Sequence, residues 1–252
     1  MKIGTDPEFF LYKDGLPIPA TGLLGGSKGE PRDLGRGVGI QEDNVMGEFT
    51  FDPVSLSDPA KLYDDVQFGI EQIKIITGYE VVFEPSALFK PKQLASKKAS
   101  EFGCSFDWNV YEGYAHKVVP EMPENTRFAG GHIHFGDDKY ISRKHADRLT
   151  KTLDLFLVMP AITKDECNAR RKAYGKPGTL RYKPYGFEYR SPSNFWLCNE
   201  ENLRWVFNQI KRAVNFLESG GKIDRADQLL IYNSVKKSQL EPKLFKKYEV
   251  EF

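Results

Sequence analysis

The sequence predicts a single α+β domain, residues 1–252, with a mostly antiparallel sheet, a concave polar face and helices packed on its back. Four segments alternate polar and apolar residues with period two, and three others repeat apolar residues every three or four positions. These segments do not follow a regular strand–helix–strand order, which disfavours a parallel sheet. With 40% hydrophobic residues, the chain can build one core.

Four predicted strands supply the polar face of the sheet. They cover residues 3–11, 45–51, 130–136 and 186–190. Because side chains alternate across a strand, the polar residues of each segment point one way and the apolar residues the other. The polar set comprises Asp6, Glu8, Glu48, His132, His134, Glu188 and Arg190. So many acids on one face are costly unless divalent cations or a charged ligand neutralise them, so we expect a metal and phosphate site.

Three helices are predicted from their capping residues and apolar stripes. The first follows Ser57-Asp58-Pro59 and ends at Gly78, the second follows Ser142, and the third runs from Asn199 to Gly220. Their stripes are Leu62, Val66, Ile70 and Ile73; Ala146, Leu149, Leu153 and Phe156; and Leu203, Phe207, Ile210, Val214 and Leu217. We expect these helices to cover the back of the sheet, beside a further strand at residues 80–83.

Two segments are expected to be irregular. Residues 20–39 are rich in glycine, and their spacing matches neither a Walker loop nor a dinucleotide fingerprint. We expect a mobile surface loop that orders over a ligand, with a specific phosphate cradle as the alternative. Residues 103–125 carry Trp108, Tyr111 and Tyr114 and are expected to form an insertion that either faces substrate or packs under a long loop.

Charge and composition exclude several classes of protein. The 36 basic and 35 acidic side chains nearly cancel, which disfavours nucleic acid or a membrane surface as a partner. No apolar run approaches the roughly 20 residues of a membrane span, and the first polar strand begins at once, so we expect a cytoplasmic protein. Cys104, Cys167 and Cys198 are widely spaced and are expected to be reduced. The sequence leaves the oligomeric state open.

The polar face suits more than one metal chemistry. Magnesium prefers carboxylate oxygens together with substrate phosphates, which fits a face rich in acids beside an arginine. The His132-x-His134 pair could instead seed a zinc or iron centre, as in a metal-dependent hydrolase or oxygenase. Each motif alone also has a purely structural interpretation, for example a cross-strand ion pair for Glu188 and Arg190. Their shared orientation favours a functional site.

Three motifs, in order, resemble those of glutamine synthetases. Gly-Thr-Asp-Pro-Glu-Phe-Phe-Leu at residues 4–11 resembles the acidic strand Gly-x-Glu-Pro-Glu-Phe-Phe-Leu, with Asp6 in place of the first Glu. Gly-Gly-His-Ile-His at residues 130–134 resembles the glycine–histidine strand, and residues 188–194 are similar to the Glu-x-Arg-x-Pro-x-x-Asn segment. The short chain and the motif Gly-Gly-His-Ile-His-Phe-Gly most resemble the phage-type carboxylate-amine ligases, which have a glutamine-synthetase-like catalytic fold. The resemblance spans roughly residues 3–197.

The resemblance implies an ATP-dependent ligase that activates a carboxylate as an acyl phosphate and joins it to an amine. It also implies two or more Mg²⁺ ions, with Mn²⁺ as a substitute. Asp6, His132 and Glu188 would hold one ion, and Glu8 and Glu48 the other. Glu42 or Asp43 would complete the second site. His134 would lie toward the nucleotide, and Arg190 toward the transferred phosphate or the substrate carboxylate.

Basic residues upstream of Glu188 are further candidates. In the family that the chain resembles, arginines in this region stabilise phosphate, and guanidinium groups match phosphate oxygens. Arg181 is the first choice and Arg171 the second; a solvated basic loop is the alternative. The chain lacks the N-terminal domain of glutamine synthetases, so we expect other small-molecule or peptide substrates than glutamate and ammonia, in the host cytoplasm if the chain is phage-encoded. A non-catalytic nucleotide-binding protein of the same fold is a further alternative.

Overall fold

The computed structural model describes residues 1–96, 106–117, 125–165 and 167–252. Its mixture of helices and antiparallel sheets confirms the predicted α+β class. The strands are β1 (Lys2–Thr5), β2 (Glu8–Lys13), β3 (Leu16–Ile18), β4 (Arg32–Gly35), β5 (Val38–Asp43), β6 (Met46–Phe51), β7 (Val54–Ser55), β8 (Glu80–Val82), β9 (Ser86–Leu88), β10 (Phe106–Asn109), β11 (Tyr114–Lys117), β12 (Thr126–Phe128), β13 (Ile133–Gly136), β14 (Thr179–Lys183) and β15 (Gly186–Tyr189).

Six helices pack around these strands. They are α1 (Pro59–Thr77), α2 (Arg143–Leu153), α3 (Asn168–Ala173), α4 (Glu200–Glu218), α5 (Arg225–Lys236) and α6 (Pro242–Tyr248), counted over the described ranges. Helix α2 continues through a π-helical turn, Asp154–Val158, into a last helical turn, Met159–Ala161. Short 3-10 turns cover Pro91–Leu94, Asp138–Ile141 and Asn194–Leu197. Within the parts of the chain that are described, no helix has the length and apolar character needed to cross a membrane.

The strands form three sheets. The largest has seven strands in the order β11-β10-β14-β15-β13-β1-β7. A second sheet runs β3-β2-β6-β5-β4, with β8 beside β2, and β12 pairs with β9 in a small ribbon. Within the described ranges these strands pair in antiparallel fashion, for example β1 with β13 and β2 with β6. The central pairings bring the polar segments together.

The polar strands do not share a single sheet, and that prediction is corrected. Residues 3–11 form two strands instead of one. The first strand ends before Asp6-Pro7, and the chain then passes from the seven-stranded sheet to the second sheet. Pro7 has no N–H and cannot continue the ladder. Its carbonyl accepts a hydrogen bond from Phe49 N–H at 3.0 Å, and Glu8 N–H donates to Gly130 O at 2.9 Å. The polar residues therefore meet where the two sheets join.

The three predicted helices are confirmed as α1, α2 and α4. Asp58 caps α1 by accepting a hydrogen bond from Lys61 N–H, and Gly78 ends it with a φ of 72°, in the left-handed region that favours glycine. Asn199 caps α4 through Asn202 N–H. Helix α1 packs on the second sheet, α2 packs on β14 and β15, and α4 contacts both helices. The core between these layers includes Phe9, Phe49, Phe135, Leu153 and Phe207.

The glycine-rich segment at residues 20–39 contains turns and strand β4. Glu42 Oε1 accepts the N–H of Gly22 at 2.8 Å and those of Leu24 and Gly25 at 3.3 Å. Arg32 Nη1 donates to Leu24 O at 3.1 Å. In this structure Glu42 therefore anchors the turn that precedes β4.

The described part of residues 103–125 is more regular than predicted. Residues 106–117 form the hairpin β10–β11, which extends the seven-stranded sheet through the pairing of β10 with β14. The prediction of an irregular insertion is wrong for these residues, and the rest of the segment lies outside the described ranges, as does Cys104. Cys167 and Cys198 are free thiols.

Candidate active site

Asp6, His132 and Glu188 form a first cluster, in which one ligand atom of each residue lies within 4.8 Å of the others. His132 Nδ1 is 3.3 Å from Asp6 Oδ1 and 3.5 Å from Glu188 Oε1. Although Asp6 is shorter than the Glu of the glutamine-synthetase motif, its carboxylate reaches the cluster. His132 and Glu188 are buried, and Asp6 is partly exposed.

Strand pairing positions the first cluster. Asp6 directly follows β1, His132 directly precedes β13, and Glu188 lies in β15 opposite His134. Because β13 lies between β1 and β15, the three side chains approach from neighbouring strands. Gly130 makes room for the imidazole, since a Cβ at that residue would lie 2.4 Å from His132 Nε2.

Glu8, Asp43 and Glu48 form a second cluster with the same spacing, ligand atoms within 4.8 Å. Glu8 in β2 lies opposite Glu48 in β6, and Asp43 ends the neighbouring strand β5. Of the two acids left open by the sequence, Asp43 is the one in this cluster. Glu42 points to the glycine-rich segment instead.

Cationic side chains surround Glu188 of the first cluster. Arg190 Nη1 contacts Glu188 Oε1, whereas Lys183 Nζ lies 2.9 Å and Arg181 Nη1 3.5 Å from Oε2. Burial alone would raise the pKa of Glu188, but the charges of Arg190 and His132 outweigh it and lower that pKa to about 2. Burial opposes ionisation of Asp6 as well, yet the histidines hold its pKa well below the usual value. The two carboxylates of this cluster are therefore ionised at neutral pH, whereas burial lowers the pKa of His132 and favours its neutral form.

The second cluster has the opposite electrostatics. Burial and the charge of Asp43 raise the pKa of Glu8 to about 8. Burial, Asp6 and Glu8 raise the pKa of Glu48 well above its usual value. Without a cation, Glu8 therefore holds a proton at neutral pH. Three carboxylates that lie this close together suit a hard divalent ion such as Mg²⁺, which prefers oxygen ligands.

The structure brings two of the three predicted arginines to the site. Arg190 Nε and Arg181 Nη2 each lie 3.0 Å from Asp107 Oδ1, so Asp107 holds both guanidinium groups beside Glu188. Arg171 is not among these contacts. It is buried elsewhere, where it donates to Asn168 Oδ1 and Ser238 Oγ, and to Asp165 O.

The geometry adds residues that the sequence argument missed. Tyr174 OH lies 2.9 Å from His132 Nε2 and accepts a hydrogen bond from Arg190 Nη2 at 2.6 Å. Asp107 and Lys183 gave usable signals, since Asp107 lies in an alternating segment and Lys183 shares a strand face with Arg181. Tyr174 precedes Gly175 outside any strand and gave no periodic signal.

An open cleft of about 700 Å³ borders both clusters, since Asp6 and Glu48 both line it. His134 forms one wall with Tyr185, whose ring stacks on it with centroids 6.1 Å apart. Tyr185 OH lies 2.9 Å from His134 Nδ1, while His134 Nε2 lies 3.2 Å from Asp6 Oδ1. Other walls are apolar and include Phe51, Pro53 and Ile141. A ligand in this cleft can therefore reach both the first and the second cluster.

The comparison with protein families supports one of the classes considered so far, the ligase. Residues 115–228 match the family model described as phage phiEco32-like COOH.NH2 ligase-type 2. The resemblance to the phage-type carboxylate-amine ligases is confirmed. The matched range holds His132, His134, Glu188 and Arg190, whereas Asp6 and the second cluster lie before it. No curated protein matches the chain.

Proposed function

We propose that the chain is an ATP-dependent carboxylate-amine ligase that forms an amide bond through an acyl phosphate. The main observation is the pair of adjacent acidic clusters, one of them ringed by Arg181, Lys183 and Arg190. Phosphoryl transfer depends mainly on positioning and charge neutralisation, which such an arrangement supplies. The family match supports the ligase class.

The proposal assigns a role to each group. Asp6, His132 and Glu188 would hold one Mg²⁺ ion, and Glu8, Asp43 and Glu48 the other. Bound divalent ions would screen the phosphate oxygens and polarise the phosphoryl group. Arg181 and Arg190, fixed by Asp107, would neutralise charge on that group. The His134–Tyr185 cleft would take the nucleotide.

The reaction needs no covalent catalysis by the protein. A substrate carboxylate oxygen attacks the terminal phosphorus of ATP, and ADP leaves. The amine then attacks the acyl carbon, phosphate leaves, and the nitrogen loses a proton. Amino acids, peptides and polyamines have the required carboxylate or amine groups, and ATP with Mg²⁺ is available in a cytoplasm, that of the host if the chain is phage-encoded. Arg171, with its remote contacts, has a structural role in this proposal.

A second candidate is a zinc or iron hydrolase or oxygenase. It is favoured by one observation, that Asp6 Oδ1 lies within 3.3 Å of His132 Nδ1 and 3.2 Å of His134 Nε2. Two histidines and a carboxylate can hold such a metal. This alternative gives no role to the second cluster or to the arginines, so the ligase accounts for more of the site.

ADP release tests the proposal. The protein is assayed with Mg²⁺ and ATP against pooled amino acids, peptides and polyamines, beside Glu188→Gln and the control Glu200→Gln, which changes a surface acid paired with Arg204. We expect substrate-dependent ADP release that Glu188→Gln abolishes and Glu200→Gln retains. A second measurement, the melting temperature of the protein, separates the alternatives. A rise in melting temperature with Zn²⁺ alone, without any ATP binding, would favour the hydrolase. A rise in melting temperature with Mg²⁺-ATP, without ADP release in the presence of any of the substrate pools, would favour a non-catalytic binding protein.

A further inference from the structure

Both oxygens of Glu188 are engaged by the protein's own cations. Oε1 contacts Arg190 Nη1, and Oε2 lies 2.9 Å from Lys183 Nζ. The Glu188 side chain is fully buried. A metal ion that enters the first cluster must therefore compete with a protein cation for this carboxylate.

The cations around Glu188 differ in how firmly they are held. Arg190 also contacts Asp107 and Tyr174, and Arg181 also contacts Asp107. Across the described ranges, the Lys183 ammonium has Glu188 as its one polar partner, and 27% of its side chain is exposed. A lysine also carries a compact charge on a flexible stem, unlike the planar fork of arginine. Lys183 is thus the cation that can leave most easily.

Formal charges around Glu188 cancel without a metal ion. Three carboxylates, Asp6, Asp107 and Glu188, face three cations, Arg181, Lys183 and Arg190. A divalent ion added alone would leave two excess positive charges in a largely buried site, which is costly. An anionic ligand that arrives with the ion removes this excess and offers Lys183 a new partner.

We propose that Lys183 is a displaceable counter-ion of Glu188. It balances the first cluster until a polyphosphate ligand arrives with its divalent ion, and its ammonium then moves from Glu188 to the phosphate oxygens. The inference rests on the proposed function, since it takes a nucleotide as the ligand. The second cluster, with three carboxylates that lie together, takes a divalent ion without the nucleotide.

Counting bound Mn²⁺ tests this role without an activity assay. Free Mn²⁺ is measured by electron paramagnetic resonance, with and without a non-hydrolysable imido analogue of ATP. The wild type is expected to bind one ion alone and two with the analogue. Lys183→Met should bind two ions without the analogue, with affinity at the first cluster raised about tenfold or more by the loss of a nearby positive charge. Lys183→Arg keeps the charge and should resemble the wild type, as should the surface control Lys139→Met.

Two results would overturn the inference: a wild type that binds two ions without the analogue, or a Lys183→Met variant that still needs the analogue for its second ion. Thermal melting verifies that the variants fold, and Lys183→Gln replaces Lys183→Met if the latter does not. If the wild type binds no Mn²⁺ under any condition, the proposed function itself fails, which separates the two failures.

Discussion

The two acidic clusters lie side by side yet have opposite electrostatics. In the first, Arg190 and His132 outweigh burial and lower the pKa of Glu188 to about 2. In the second, burial and Asp43 raise the pKa of Glu8 to about 8. The protein's own cations compensate the first cluster, whereas protons or an external cation must compensate the second. Equal numbers of ligands therefore do not make equal metal sites, because the neighbouring charges set the affinity.

The largest expected effect comes from neutralising Glu188. Glu188→Gln removes one of the two carboxylate partners of buried Arg190 and the carboxylate partner of Lys183, so we expect the free energy of unfolding in EDTA to fall by about 3–5 kcal/mol. Urea denaturation at pH 7 measures this. A loss below about 1 kcal/mol would mean that burial of these cations does not depend on the charge of Glu188. The contrast between the two clusters would then lose its basis.

The matched change in the second cluster should behave differently. Glu48→Gln removes a carboxylate from a site where burial and neighbouring acids already disfavour its charge. In EDTA we expect the free energy of unfolding to stay the same or rise by about 1 kcal/mol, because a like-charge interaction is relieved. The same variant should lose most of the stabilisation by Mg²⁺. A loss of stability in EDTA as large as that of Glu188→Gln would contradict the account.

The pH dependence of stability follows from Glu8. Its pKa is 4.5 in a model peptide and about 8 in the fold, so between these values the folded chain holds a proton that the unfolded chain has lost. Because the folded state binds more protons, its free energy of unfolding should fall as pH rises from about 5 to about 8 in EDTA, by about 1 kcal/mol per pH unit.

Two controls isolate the contribution of Glu8. Burial also raises the pKa of Asp154, to about 7, which gives a slope of the same sign. The informative quantity is therefore the difference in slope between the wild type and Glu8→Gln. Saturating Mg²⁺ should remove the same part of the slope. Identical slopes for both proteins in EDTA would show that Glu8 titrates normally.

The smallest expected effect concerns the cleft beside the clusters. Tyr185→Phe keeps the ring that stacks on His134 but removes the hydroxyl that contacts Nδ1. The loss of one hydrogen bond should weaken binding of the imido ATP analogue by about two- to tenfold. Tyr185→Ala, which also removes the stacked ring, should weaken it further. Unchanged affinity in both variants would place the nucleotide elsewhere.

Local patterns in the sequence predicted α1, α2 and α4 and most residues of the clusters. Alternation along strands is a local property, so Glu8, Glu48 and Glu188 could be recognised as members of one polar site. The break at Asp6-Pro7 was not predicted, since residues 3–11 were expected to form one strand. Pro7 cannot donate to a ladder, and the change of sheet that follows it depends on pairings far along the chain.

The choice among basic residues could not be made locally. Arg171 and Arg170 are adjacent in α3, and only tertiary contacts show that Arg171 binds Ser238. Asp107 reaches the arginines because β10 pairs with β14, which begins 70 residues after β10 ends. The choice of Asp43 over Glu42 likewise depends on hydrogen bonds between Glu42 and the glycine-rich segment.

The difference between the clusters is tested most directly by proton release on Mg²⁺ binding without nucleotide. Isothermal titration calorimetry at pH 7 in two buffers of different ionisation enthalpy gives both the number of ions and the number of protons. The account predicts one ion, bound with release of about one proton or more, and a smaller release for Glu8→Gln. Binding of one ion with no proton release, or of two equivalent ions, would contradict it.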